Sequence, residues 1–82
     1  MKYNPMVGKT KADMKVLFAE RIKQLRIEKG LTQTVVAKNM DVAPNTVSQW
    51  ESGLIEPDFA TLVMLAKFFE ESTDFLLGVK DF

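Results

Sequence analysis

Wound as a helix at about 100° per residue, the segment 44–52 puts Val47, Trp50 and Glu51 on one side and Asn45, Gln49 and Ser52 on the other. Thr46 stands at the edge of the second side. That side therefore carries two amides and a hydroxyl, polar but uncharged. An amide can bond adenine N6 and N7 together, a hydroxyl can reach a base or a phosphate oxygen, and a threonine methyl can meet a thymine methyl. Such residues alone are more often plain solvated groups. Glu51 shifts the balance, because a carboxylate on the inner face is unfavourable unless it is paired. Arg26 is the natural partner. It follows Leu25 at the end of an earlier apolar stripe, and a guanidinium can hold a carboxylate through two parallel hydrogen bonds. An Arg26–Glu51 pair would tie the first helix to the third and fix the third helix's orientation.

Other chemistries lack their residues. The chain has no His and no Cys, which removes the commonest general base, the commonest metal ligand, thiol chemistry and disulfides. There is no glycine-rich phosphate loop and no paired-carboxylate cleft, so neither an enzyme nor a metal or other cofactor is expected. No apolar run approaches the roughly 20 residues of a membrane span, and no signal peptide is evident. The default expectation is a cytoplasmic protein without membrane partners. Eleven basic residues balance eleven acidic ones, for zero net charge, which taken whole argues weakly against nucleic acid. The distribution argues the other way. Residues 1–30 hold eight basic and three acidic side chains, a net +5, while 58–82 hold two and five, a net −3.

The elements that must position these residues follow from periodicity and punctuation. With 82 residues, 46% of them hydrophobic, the chain suits one domain with one core. Residues 1–12 read as a flexible basic arm broken by Asn4-Pro5 and Gly8. A helix is expected from about Asp13, which is positioned to cap it; Phe18, Ile22 and Leu25 form its stripe and Gly30 ends it. Thr32 caps a second helix, 33–40. After a turn at Asp41-Val42-Ala43, Pro44 opens the third, since only a first helical turn tolerates its missing N–H. A fourth begins at Pro57-Asp58, with Phe59, Leu62, Leu65, Ala66 and Phe69 as its stripe. Ser72 caps a last short helix, 73–77, closed by Gly78. Nothing alternates with period two. The expected fold is all-α: five short helices in one domain over 13–78, with 79–82 as a tail. Its core should gather Phe18, Ile22, Leu25, Leu31, Val36, Ala37, Met40, Val47, Trp50, Leu62, Leu65, Ala66, Phe69 and Leu76.

The run Gln33 to Ser52, preceded by Arg21-Ile-Lys-Gln-Leu25-Arg26 and Leu31-Thr32, resembles the helix-turn-helix of the lambda-repressor-like (Xre or Cro type) regulators. Pro57 and the tail Asp74-Phe75-Leu76-Leu77-Gly78 extend the likeness over about 18–78. The resemblance implies a compact five-helix DNA-binding domain and sequence-specific recognition of double-stranded DNA by a transcriptional regulator, with repression the expected mode. It implies base reading by Pro44, Asn45, Thr46 and Gln49. It assigns phosphate contact to Gln33, Thr32 and Ser52 at element ends, where backbone N–H groups add an anion site. Trp50 is implied to be mostly core. Two positions depart from the family pattern. Asp41 stands where Gly is usual, and Ala43 stands where a Ser or Thr cap is usual. Pro44 shifts the reading burden onto Asn45 and Gln49.

One reading helix spans few base pairs, so a homodimer on an inverted-repeat operator is expected. Phe75, Val79 and Phe82 near the C-terminus are the apolar candidates for its interface. The competing reading is a protein-interaction module, such as an antitoxin or a repressor's partner. The acidic C-terminal half with Phe68, Phe75, Val79 and Phe82 favours it.

Overall fold

The computed structural model describes residues 10–81. Most of the expected arm, and Phe82, lie outside the described residues. Five helices follow in order: α1 (Lys11–Glu28), α2 (Gln33–Met40), α3 (Pro44–Glu51), α4 (Phe59–Phe69) and α5 (Thr73–Leu76). Among the described residues there is no strand.

Capping chemistry sets the boundaries. α1 starts earlier than the apolar pattern indicates, because Thr10 is the cap and Asp13 is not. The Thr10 side chain accepts from the Asp13 N–H, and the Asp13 carboxylate accepts from the Thr10 N–H, closing a reciprocal capping box. Lys11 and Ala12, expected in the arm, are therefore helical. Thr32, Asp58 and Ser72 cap α2, α4 and α5 through their side chains. Ala43 precedes α3 with no side-chain bond to offer, and Pro44 opens that helix. Asp41 takes the left-handed conformation, φ 58°, that its place in the turn demands. Glu70 does the same at the end of α4, φ 57°, where neither Gly nor Asn marks the stop. Gly78 answers two demands at once. Its φ is +79°, and a Cβ there would stand 2.4 Å from the Leu17 side chain.

α3 packs against both α2 and α1, α5 lies against α1 and α4, and α2 also touches α4. Phe18, Ile22, Leu25, Val36, Ala37, Met40, Val47, Trp50, Leu65, Ala66, Phe69 and Leu76 form one buried cluster. Leu31 and Leu62, expected to be largely buried with the core, are half-buried and packed against it. Ala19 is buried without having been foreseen. Phe59, on the apolar stripe of α4 but not among the expected core residues, is 89% exposed. One residue into α4, it lies where the helix is only entering the core. The buried face of α4 comprises Leu65, Ala66 and Phe69, with Leu62 at its edge.

Candidate nucleic-acid interface

The third helix is held from behind by its apolar side. Val47 is completely buried and Trp50 nearly so. Alongside them, Glu51 is bonded twice to Arg26. Arg26 Nε donates to Glu51 Oε2 at 2.7 Å, and Nη2 donates to Oε1 at 3.0 Å. The two side chains are 14% and 4% exposed, so the pair is shielded from water. The bond to Glu51 holds the Arg26 pKa above its ordinary value; burial opposes this, and the nearby carboxylate charge adds to it. Arg26 Nη1 also donates to the Leu31 carbonyl at 2.9 Å, just before the α2 cap. One guanidinium thus joins the end of α1, the approach to α2 and the end of α3. The ion pair expected from sequence is present, in its two-bond form.

The opposite side of α3 faces outward. Pro44, Asn45, Ser48 and Ser52 are exposed, and Thr46 and Gln49 are half-buried at its edges. The face bears no charge. Ser48 is the residue that sequence reasoning missed. A wheel centred on Val47 puts it at about 100°, neither inside nor opposite. The burial pattern makes it a central member of the exposed stripe.

The expected phosphate-contacting residues divide. Thr32 Oγ1 accepts from the Val35 N–H at 3.1 Å, so its hydroxyl hydrogen remains available as a donor. Gln33 opens α2 half-buried, and its Nε2 donates to Glu51 Oε1 at 3.1 Å. Ser52 follows the last residue of α3, and its hydroxyl donates to the Gln49 carbonyl at 3.1 Å. A Ser52 bond to phosphate as donor would have to replace that one. The expected base-reading set Pro44, Asn45, Thr46 and Gln49 lies on one helix, with Gln33 linked to that helix's C-terminal end through Glu51.

Of the apolar C-terminal candidates, Phe82 lies outside the described residues. Phe75 and Val79 are half-buried. Arg21 lies over the Phe75 ring, 4.3 Å from its centroid, and donates to the carbonyls of Phe75 and Lys80. That arrangement folds the C-terminal end back on α1. Among the described residues, the exposed large apolar side chains are Val16, Ile27 and Val35, and, between α3 and the middle of α4, Leu54, Ile55, Phe59, Val63 and Met64.

Two helices meeting across a tight left-handed turn, the second presenting a polar face and backed by a buried core, define a helix-turn-helix domain. The chain belongs to the helix-turn-helix family, whose model matches residues 22–76, as the resemblance to the lambda-repressor-like regulators implied. It is 40% identical over 61 residues to the HTH-type transcriptional activator BcrR of Enterococcus faecalis, covering 74% of this chain and 30% of that one. It is 36% identical over 59 residues to the HTH-type transcriptional regulator ImmR of Bacillus subtilis (strain 168), covering 72% and 46%. The chain thus spans roughly a third to a half of these relatives' length. Among solved structures, it is similar to the P22 c2 repressor protein in complex with synthetic operator 9T. That match has a TM-score of 0.73 and 32% identity, over 77% of this chain and 96% of that one.

Proposed function

We propose that this domain binds double-stranded DNA sequence-specifically and regulates transcription as a repressor, with α3 in the major groove. The outward face of α3 carries the reading: an uncharged stripe of amide and hydroxyl side chains on a helix that cannot roll. Val47 and Trp50 anchor its back and the Arg26–Glu51 pair fixes its end. The likeness to a repressor crystallised with a synthetic operator supports it, and the family is one of DNA-binding regulators rather than enzymes. Asn45, Thr46 and Gln49 read base edges, Pro44 packs beside them, and Gln33, Thr32 and Ser52 meet the phosphate backbone. Ser48 joins the contact face. The work is done where the DNA is, in the cytoplasm. Among the described residues, no helix is long and apolar enough to cross a membrane.

The operator is an inverted repeat bound by two copies. The exposed apolar side chains of Leu54, Ile55, Phe59, Val63 and Met64, neighbours in sequence, favour association there over one through the C-terminal end, where Phe75 and Val79 are half-buried. The same side chains would serve a protein-interaction module.

Selection from random duplexes, followed by affinity measurements on Gln49→Ala, decides between the two. Gln49→Ala should lose about tenfold or more on the selected site and little on random duplex, since a bidentate amide discriminates by about 1–3 kcal/mol. The salt slope should hold, because no cation is removed. An unchanged ratio of specific to random affinity would remove α3 as the reader and favour the interaction module.

A further inference from the structure

We propose that Glu51 is a positioning residue for DNA binding, holding the Gln33 amide in the orientation that meets phosphate. The inference rests on the reading of Gln33 as a phosphate contact. Its basis is the third bond that Glu51 accepts. Oε1 receives Arg26 Nη2 at 3.0 Å and Gln33 Nε2 at 3.1 Å, while Oε2 receives Arg26 Nε at 2.7 Å. The ion pair already fixes α3 without Gln33, so the amide bond adds something further.

Three physical consequences follow from that bond. A glutamine has freely turning torsions, and freezing them on complex formation weakens binding; torsions frozen beforehand remove that loss. An amide also has a right and a wrong way round. Its nitrogen side donates to phosphate, whereas its carbonyl would set acceptor against acceptor. The Glu51 carboxylate selects the nitrogen side, because the flipped amide would put oxygen against oxygen at Glu51 itself. One N–H is used on Glu51, and among the described residues the second has no protein acceptor. Finally, a bare carboxylate near the DNA backbone would repel it. Arg26 neutralises Glu51 through two charge-assisted bonds, so the amide is oriented without that penalty.

The test is a double-mutant cycle on random duplex, where only backbone contacts count, at one salt concentration and well below every variant's Tm. The four proteins are the parent, Gln33→Ala, Glu51→Asp and the double variant. Glu51→Asp keeps the carboxylate but draws it back by one methylene. Gln33→Ala should weaken binding about fivefold. Glu51→Asp should weaken it clearly more when Gln33 is present than when it is absent, the loss that remains without Gln33 being that of the shortened Arg26 pair. Equal losses in both backgrounds would overturn the proposal and leave Gln33's phosphate contact standing. No loss from Gln33→Ala would sink the phosphate reading, and the proposal with it. The DNA-free parent gives a check that does not depend on a variant folding. In nuclear relaxation measurements the Gln33 side-chain amide should approach the rigid-backbone order parameter of about 0.85, and a value below about 0.6 would refute the positioning role.

Discussion

At the scale of single residues, Glu51 is the side chain on which most depends. Its neighbours are matched to its charge, so deleting it strands a guanidinium with only the Leu31 carbonyl as partner. Glu51→Ala should lower stability by about 3 kcal/mol, the usual result of breaking a shielded pair, which is roughly 15 °C in Tm for a chain this size. Thermal unfolding followed by circular dichroism reads this directly, and an unchanged midpoint would refute it. The Arg26–Glu51 pair was legible in the sequence because a charge on an apolar stripe demands a partner. The Gln33 bond to the same carboxylate was not, since a glutamine at a helix start gives no sign of which way it turns. Ser48 escaped for a related reason: a wheel assigns directions but not how wide the exposed face is, and that depends on what α1 and α2 cover.

At the scale of elements, helix order and type were legible because caps, stops and apolar spacing agree in this chain. The start of α1 was not, because Thr10 and Asp13 act as a reciprocal pair and the apolar stripe begins only later, at Phe18. The end of α4 hides likewise in a left-handed glutamate. Asp58 gives the cleanest test of capping. The Thr61 backbone N–H bonds its carboxylate at 2.8 Å, and that bond, with a lesser contribution from the Thr61 side chain, holds the carboxyl below its ordinary 3.8. A carboxyl lowered on folding stabilises fully above its unfolded value and loses that contribution as pH falls through the folded one. Asp58→Ala should therefore lower Tm at neutral pH, and the gap between variant and parent should narrow as pH drops below about 4. A gap of constant size down to pH 2 would show that the ionised cap is not what matters.

For the whole molecule, the proposed binding of two copies to an inverted repeat requires two reading helices about 34 Å apart on one face of DNA. Such spacing requires a contact rigidly joined to α3. Leu54 and Ile55 meet that requirement: their backbone N–H groups both donate to the Gln49 carbonyl, at 2.9 and 3.3 Å. Phe59 follows directly at the start of α4, with Val63 one turn on. Phe59 at 89% and Leu54 at 64% exposure are far from any role in the core, and a large exposed aromatic is a common anchor of protein interfaces. Sequence alone placed Phe59 on the apolar stripe of α4, because its spacing to Leu62 and Ala66 fits a helix, but not among the core residues, and spacing cannot tell where along its length a helix enters the core. Phe59→Ser should therefore leave Tm almost unchanged while shifting sedimentation toward the monomer. It should weaken binding to a palindromic duplex by on the order of tenfold or more, and leave binding to an isolated half-site intact. If half-site and palindrome affinities fell together, Phe59 would be acting on the reading surface itself. If neither changed, two copies would have to meet through some other face.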